Sequence, residues 1–348
     1  MKKYPKIAAI ALAVLLLVSA VIIPAYAVEF ENGFNYVLVN SGSSAKITTA
    51  KASCVGSDGV LTLPDTLGGK PVTEIASGSL GFVKDRIKSI IFPATLETIE
   101  DNVFSGIKFE GELVLPAALR NLGAYAFQKC TKITSLRVND ALEVISRNAF
   151  SGCTALATIV FGSSVKTIDD YAFSGCPALA SVDIPSPVEA VGKSAFFNCK
   201  TLAAVTFASS VKSIGADAFE NCPELKEVTV PATVSSVGSR AFALMEDEAS
   251  AISHDITITC AERSAAYAYA LNNGAKIKLK SFGYFMMGDV DGSGTVQAYD
   301  ARMALRFATE LENPSAEQVQ FGDINSSGQI DAADARKILR VATGLESF

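Results

Sequence analysis

The sequence predicts a solenoid of 23-residue coils, built of parallel strands with short helical turns, followed by a small all-α module. Three observations carry this. Phe104, Phe127, Phe150, Phe173, Phe196, Phe219 and Phe242 stand 23 residues apart. The aliphatic series Ile99, Leu122, Ile145, Ile168, Val191, Ile214 and Val237 keeps the same step, as does the series Cys130, Cys153, Cys176, Cys199 and Cys222. Beyond them, two glycine- and acid-rich segments begin at Gly288 and Gly322, 34 residues apart, and continue alike. A fixed period in several columns at once is the mark of stacked repeats.

The chain opens on Lys2, Lys3 and Lys6, then an apolar run from Ile7 to about Ile23, then Pro24 and Ala25-Tyr26-Ala27. Basic, apolar and small-residue regions in that order read as a secretory signal peptide over 1–27. The run is short for a permanent span, and no later run is long enough to cross a bilayer. The formal charge of the whole chain is −6; the leader holds three lysines and no acid, so the remainder sits at −9. An acidic chain without a basic block is a poor nucleic-acid binder and a poor partner for anionic membranes. Length suggests about two domains.

The solenoid is expected over 28–280. In one coil, Leu179, Val182 and Ile184 have the spacing L-x-x-V-x-I, and Val182 and Ile184 share one face of a short strand. Pro185 ends that strand because it cannot donate to the ladder. Val191 opens a second buried segment, Ala195-Phe196 follows in a single helical turn, and Cys199 closes the coil. Such a coil buries its apolar edges only by stacking on its neighbours, which sets Phe196 between its counterparts.

The recurring pattern I-x-x-x-A-F-x-x-C-x-x-L-x-x-I-x-I-P, as in Ile168 to Cys176, resembles the BspA-like bacterial surface-antigen leucine-rich repeats. The resemblance runs from about Phe34 to Leu279. "GVLTLPDTLGGKPVTEI" looks like an opening coil, and "ITITCAERSAAYAYALNNGAKIKL" like a closing coil with a short capping helix. Three departures stand out: Ile75 to Ile99 is 24 residues, Glu110 occupies a leucine position, and Asp247 to Asp255 is an irregular insertion.

Secretion usually pairs cysteines. Here the count is odd, seven, and five share one core column. Thiols so placed act as small buried hydrophobes, so free structural thiols are expected. No C-x-x-C or histidine cluster points to a metal there.

After the joint at 281–287, the module at 288–348 has its own chemistry. A hard cation takes several oxygen ligands around a tight loop. Loop positions 1, 3 and 5 supply Asp289, Asp291 and Ser293 in the first segment, then Asp323, Asn325 and Ser327 in the second. Gly294 and Gly328 allow the sharp turn at position 6. Position 7 offers the carbonyl of Thr295 or Gln329, position 9 is Gln297 or Asp331, and position 12 is Asp300 or Asp334 in the first turn of a helix. Val296 and Ile330 at position 8 are expected to pair the loops through a short strand. Two calcium ions are the expected cofactors. A plain EF-hand would have Glu at position 12 and a helix before each loop; here the preceding sequence is too short or irregular for a good helix.

Two such loop-helix repeats resemble a type I-like dockerin. The resemblance implies calcium-dependent docking to a cohesin module of a scaffoldin. Carried over, recognition falls on Ala298-Tyr299 and Ala332-Ala333 and on Arg302, Arg306, Arg336, Lys337 and Arg340. An ordinary solvated face accounts for those five charges equally well.

The function classes follow. A non-catalytic binding arm suits the solenoid, whose exposed strand positions are small and mixed: Ser135 and Arg137, Thr158 and Val160, Ser181 and Asp183, Lys226 and Thr229. They fit an unidentified protein ligand. A polysaccharide-processing enzyme is the alternative that a dockerin suggests. The only histidine, His254, falls in the irregular insertion, away from any nucleophile pattern. A glycosidase needs only two carboxylates, but Asp169, Asp170 and Asp217 occupy turn positions between core columns. Carbohydrate binding ranks lower, because sugars stack on exposed aromatics and Trp is absent. An adhesin differs from the binding arm only in its ligand.

Overall fold

The structure is a computed structural model that describes residues 28–245, 252–253, 256–261, 264–279, 287–288, 290, 296–311, 313–314, 318–319, 322–325, 327–345 and 347. The expected signal peptide, most of the 247–255 insertion with His254, most of the joint, and Asp289, Asp291, Ser293, Gly294 and Thr295 of the first loop lie outside them. The chain divides into two compact units, one running to Val228 with Thr233–Ile256, the other comprising Thr229–Ala232 and Thr257–Phe348.

In the first unit, each coil contributes two strands to two parallel ladders. Two-residue strands stack one per coil, Val144–Ile145 on Thr167–Ile168, Ala190–Val191, Ser213–Ile214 and Ser236–Val237. Longer strands form the other ladder, for example Ser181–Ile184 on Ala204–Phe207. Leu179, Val182 and Ile184 are buried as their spacing predicted, and the outward Ser181 and Asp183 are exposed.

Between the ladders runs the phenylalanine column. Phe104 to Phe242 form an unbroken stack, with successive centroids 4.9–5.5 Å apart and planes within 13° of parallel. Phe92, Phe161 and Phe207 meet the column edge-on at 88°, the arrangement that an aromatic quadrupole favours. The cysteine column lies beside it, and all seven cysteines are free thiols. Each column thiol donates to the carbonyl of the phenylalanine one coil earlier: Cys130 to Phe104, Cys153 to Phe127, Cys176 to Phe150, Cys199 to Phe173 and Cys222 to Phe196, at 3.1–3.4 Å. Burial pushes the Cys130 and Cys176 thiols up to about 12.

The single helical turn expected around Phe196 is instead a pair of linked tight turns. Ser194 and Asn198 both take the left-handed region, with φ +52° and +60°. The Ser194 position does so in every coil from Asn102 to Arg240, and the Asn198 position in every coil from Gly106 to Asn221. The reason is where the backbone bonds go. Ser194 and Phe196 donate to Ala216 and Ala218 of the next coil at 2.8 Å; a helix would direct those N–H groups back along its own coil.

Two of the three departures are absorbed locally. Ile75 and Ile99 remain direct partners; Leu80 and Val83 keep the spacing of Phe104 and Ile107, so the extra residue falls in the following 3-10 turn, Lys84–Arg86. In the next coil Glu110 faces solvent and pairs with Lys132 at 2.6 Å, while the neighbouring Phe109 is buried against Phe104. A register shift between Ile133 and Ser135 accommodates the change. A hairpin of Phe34–Val39 and Ser44–Ala50, flanked by Glu29–Glu31, leads into the repeats, and Ser44–Ala50 pairs in parallel with Lys70–Ile75.

The second unit contains the strand Thr257–Cys260, the helix Ala265–Asn273 and the strand Lys276–Leu279, which pairs in parallel with the first strand. Ser264 caps the helix by accepting from Tyr267 N–H, and Gly274 ends it at φ +68°. The same unit holds the helices Ala298–Ala308 and Ala332–Ala342. Ala301, Ala304 and Phe307 of one, and Ala335 and Ile338 of the other, share a core with Val290 and Ile330.

Candidate cation loops and recognition helices

The second loop is built almost entirely from side chains that answer its own backbone. The Asp323 carboxylate accepts from Ser327 N–H at 2.9 Å and Gly328 N–H at 2.6 Å. Asn325 Oδ1 accepts from the same Ser327 N–H, and Ser327 Oγ donates to the Gln329 carbonyl at 3.0 Å. Positions 1, 3, 5 and 7 are thereby gathered around one turn. Gly328 takes φ +93°, a conformation that costs a residue with a Cβ.

Asp334 closes the loop. One of its oxygens accepts from the N–H groups of Ile324 and Asn325, the other from Asp331 N–H. Asp331 returns the favour as N-cap, accepting from Ala333 and Asp334. This reciprocal capping box satisfies amides that a helix start leaves open. The two carboxyls respond oppositely. Burial raises that of Asp334, whereas the N–H groups of Ala333 and Asp334 hold that of Asp331 below its ordinary value. The first loop ends in the same way: Gln297 is N-cap, and its N–H donates to Asp300 at 2.7 Å. Asp300 and Asp334 are both buried.

Two local expectations need correction. Among the described residues no strand joins Val296 to Ile330; Ile330 is buried and Val296 packs against the same apolar core. Core burial, with the helices bringing the loop ends together, takes the place of strand pairing. The approach to the second loop is also more regular than expected. Gln318, Val319 and Gly322 are helical, and Asp323 N–H donates to the Val319 carbonyl at 2.9 Å.

The donor set suits a hard cation: carboxylate, amide, hydroxyl and carbonyl oxygens, without sulfur or imidazole. Among the described residues no group of three or more His, Cys, Asp or Glu side chains stands close enough to hold a metal. A cation in the second loop would therefore have to draw on neutral oxygens as well, those of Asn325, Ser327 and the Gln329 carbonyl.

The helices present matching outer faces. Ala298, Tyr299, Arg302 and Arg306 are exposed on the first; Ala332, Ala333, Arg336 and Arg340 are exposed on the second, with Lys337 half-buried. The Arg302 guanidinium lies over the Tyr299 ring at 4.9 Å, a cation–π contact. Leu305 and Leu339, one residue before Arg306 and Arg340, are 48% and 45% exposed. Sequence reading passed over these leucines, since helical spacing reads apolar residues as core. Their identical place in the two repeats was the available signal.

The BspA type leucine rich repeat model matches in six copies over residues 73–203, 120–247 and 166–273. The chain belongs to the BspA-type leucine-rich repeat family. It also carries a dockerin type I domain, matched over residues 287–340. No curated protein matches the chain. Among solved structures it is similar to a leucine rich cell surface protein from Faecalibacterium prausnitzii A2-165 (17% identity, 72% of this chain and 95% of that one, TM-score 0.34). It is also similar to a leucine-rich repeat protein from Eubacterium ventriosum (22%, 61% and 50%, TM-score 0.40) and to the pneumococcal vaccine antigen PcpA (17%, 73% and 99%, TM-score 0.34). No helix among the described residues is long and apolar enough to cross a membrane.

Proposed function

We propose that this chain is a secreted, non-catalytic component of a cellulosome-type extracellular complex. Its dockerin, residues 288–348, binds a cohesin of a scaffoldin and requires two calcium ions; its repeats, residues 28–280, bind a protein ligand. The leader over 1–27 directs export, and 281–287 join the two parts. The observation that carries this reading is the second loop. Asp323, Asn325, Ser327 and Asp334 close it onto the helix that displays Arg336, Leu339 and Arg340.

Calcium would supply positive charge to loops that offer carboxylate, amide, hydroxyl and carbonyl oxygens, and so fix the geometry of the helices. The ligand positions are Asp289, Asp291, Ser293, Thr295, Gln297 and Asp300 in the first loop, and Asp323, Asn325, Ser327, Gln329, Asp331 and Asp334 in the second. Recognition is assigned to both helix faces, with Leu305 and Leu339 added to the polar set. The deciding experiment is a pull-down from the native extracellular fraction, with and without chelator, comparing the exported chain with an Asp300→Ala, Asp334→Ala double variant. Capture of a cohesin-bearing protein by the unaltered chain alone, and only with calcium, is the expected result. Absence of any calcium-dependent capture refutes the docking role.

A further inference from the structure

One exposed row of the short-strand ladder alternates in charge without a break: Glu97, Arg120, Glu143, Lys166, Glu189 and Lys212. Each belongs to a successive coil, and all six are exposed. Backbone bonds stack the rows directly. Arg120 N–H donates to Glu97, Lys166 to Glu143, Glu189 to Lys166 and Lys212 to Glu189, at 2.7–3.0 Å.

The order E-R-E-K-E-K has a particular symmetry. Reversed, it places an opposite charge beside every member: Glu97 meets Lys212, Arg120 meets Glu189, and Glu143 meets Lys166. An even number of strictly alternating charges is complementary to its own reverse. A two-fold axis between the Glu143 and Lys166 rows would therefore join two identical faces through six opposite-charge pairs, as an isologous interface requires. We propose that this face is the surface on which two copies of the chain pair, antiparallel along their repeats.

Cross-strand attraction within one chain also favours alternation, but it leaves most of this row unused. Only the middle pair closes, Lys166 to Glu143 at 2.9 Å. Among the described residues Glu97, Arg120, Glu189 and Lys212 take part in no ion pair. The surroundings permit close approach. Two positions before each charge stand Thr95, Ala118, Ala141, Ser164, Pro187 and Ser210, none of which bears a long side chain. Val144, 40% exposed, adds an apolar contact in the middle rows.

The two explanations separate on a pair of variants, measured by sedimentation velocity on the exported full chain with calcium present. Arg120→Glu sets like charges opposite each other twice in the dimer and should weaken pairing about ten-fold or more. Adding Glu189→Arg restores every contact across the two-fold axis, while leaving like charges adjacent along each chain. The double variant should dimerise within about threefold of the unaltered protein, because opposite charges again face each other. The unaltered dimer should also weaken as salt rises from about 0.05 to 0.5 M. Glu112→Lys, on the other ladder, should leave pairing unchanged, and thermal melts show whether each variant is folded. A chain that stays monomeric at low salt overturns the proposal. So does a dimer indifferent to Arg120→Glu, or a folded double variant that fails to recover.

Discussion

Replacing Phe196 by alanine tests the column on which the solenoid stands. Phe196 is fully buried, 5.4 Å from Phe173 and 5.2 Å from Phe219, with both rings nearly parallel to it. Truncating a buried phenylalanine costs about 3–5 kcal/mol in transfer and cavity terms. Each lost aromatic pair is worth about 0.5–1.5 kcal/mol beyond area. Loss at the upper end of the truncation range, about 4–5 kcal/mol, is therefore expected. Phe196→Leu keeps most of the volume and loses the two ring contacts, which places it near 1–3 kcal/mol. Urea titration followed by circular dichroism gives the totals. Hydrogen exchange gives their location, because nearest-neighbour stacking predicts loosened amides in the coils on either side. An alanine variant within about 1 kcal/mol of the parent, or exchange raised only in its own coil, would refute the continuous stack.

Four further outcomes follow from the same geometry. Under native conditions at neutral pH, a thiol reagent should modify Cys54, which is half-buried, well before the buried column, whereas denaturation should expose all seven cysteines. The raised thiols should make stability depend on alkaline pH: their contribution is complete below the ordinary value near 9 and is lost as pH climbs toward about 12 for Cys130 and Cys176, measurable by urea titration across that range. Gly162→Ala should destabilise the chain by more than about 2 kcal/mol in thermal melts, since its new Cβ would fall 1.8 Å from the Asn139 carbonyl oxygen. Gly328→Ala meets no atom within 4 Å, yet needs φ +93°; a cost of about 1–2 kcal/mol confined to the dockerin is expected, read as weaker calcium binding by calorimetry.

Most of the solenoid was legible because every coil asks the same question of its neighbours. Phenylalanine, cysteine and aliphatic residues in one register have only one way to meet. The turns were harder to read. Ala195-Phe196 has helical propensity, but bonds to the next coil outweigh it and draw Ser194 and Asn198 into the left-handed region. The entry hairpin, where the buried Phe34 and Tyr36 alternate with half-buried neighbours, follows a period of two that the 23-residue columns do not contain. In the second loop, the spacing placed Asp334 in the first turn of its helix, as found, but did not mark Asp331 as the capping residue. It gave no sign that Asp334 would spend both oxygens on backbone amides. That depends on how tightly the loop folds over its own helix.

The thiol ladder makes one coil chemically interchangeable with another, since each cysteine finds the same phenylalanine carbonyl behind it. Excising residues 162–184 would bring Cys199 to Phe150 and leave the core columns continuous. The charged row would not forgive the same cut, for Glu143 would then stand beside Glu189. Removing two coils, 139–184, restores the order Glu97, Arg120, Glu189, Lys212. The core permits the solenoid to change length by any whole number of coils; the alternating row imposes a parity, so that pairs of coils, rather than single ones, are the unit in which this chain can be shortened or extended.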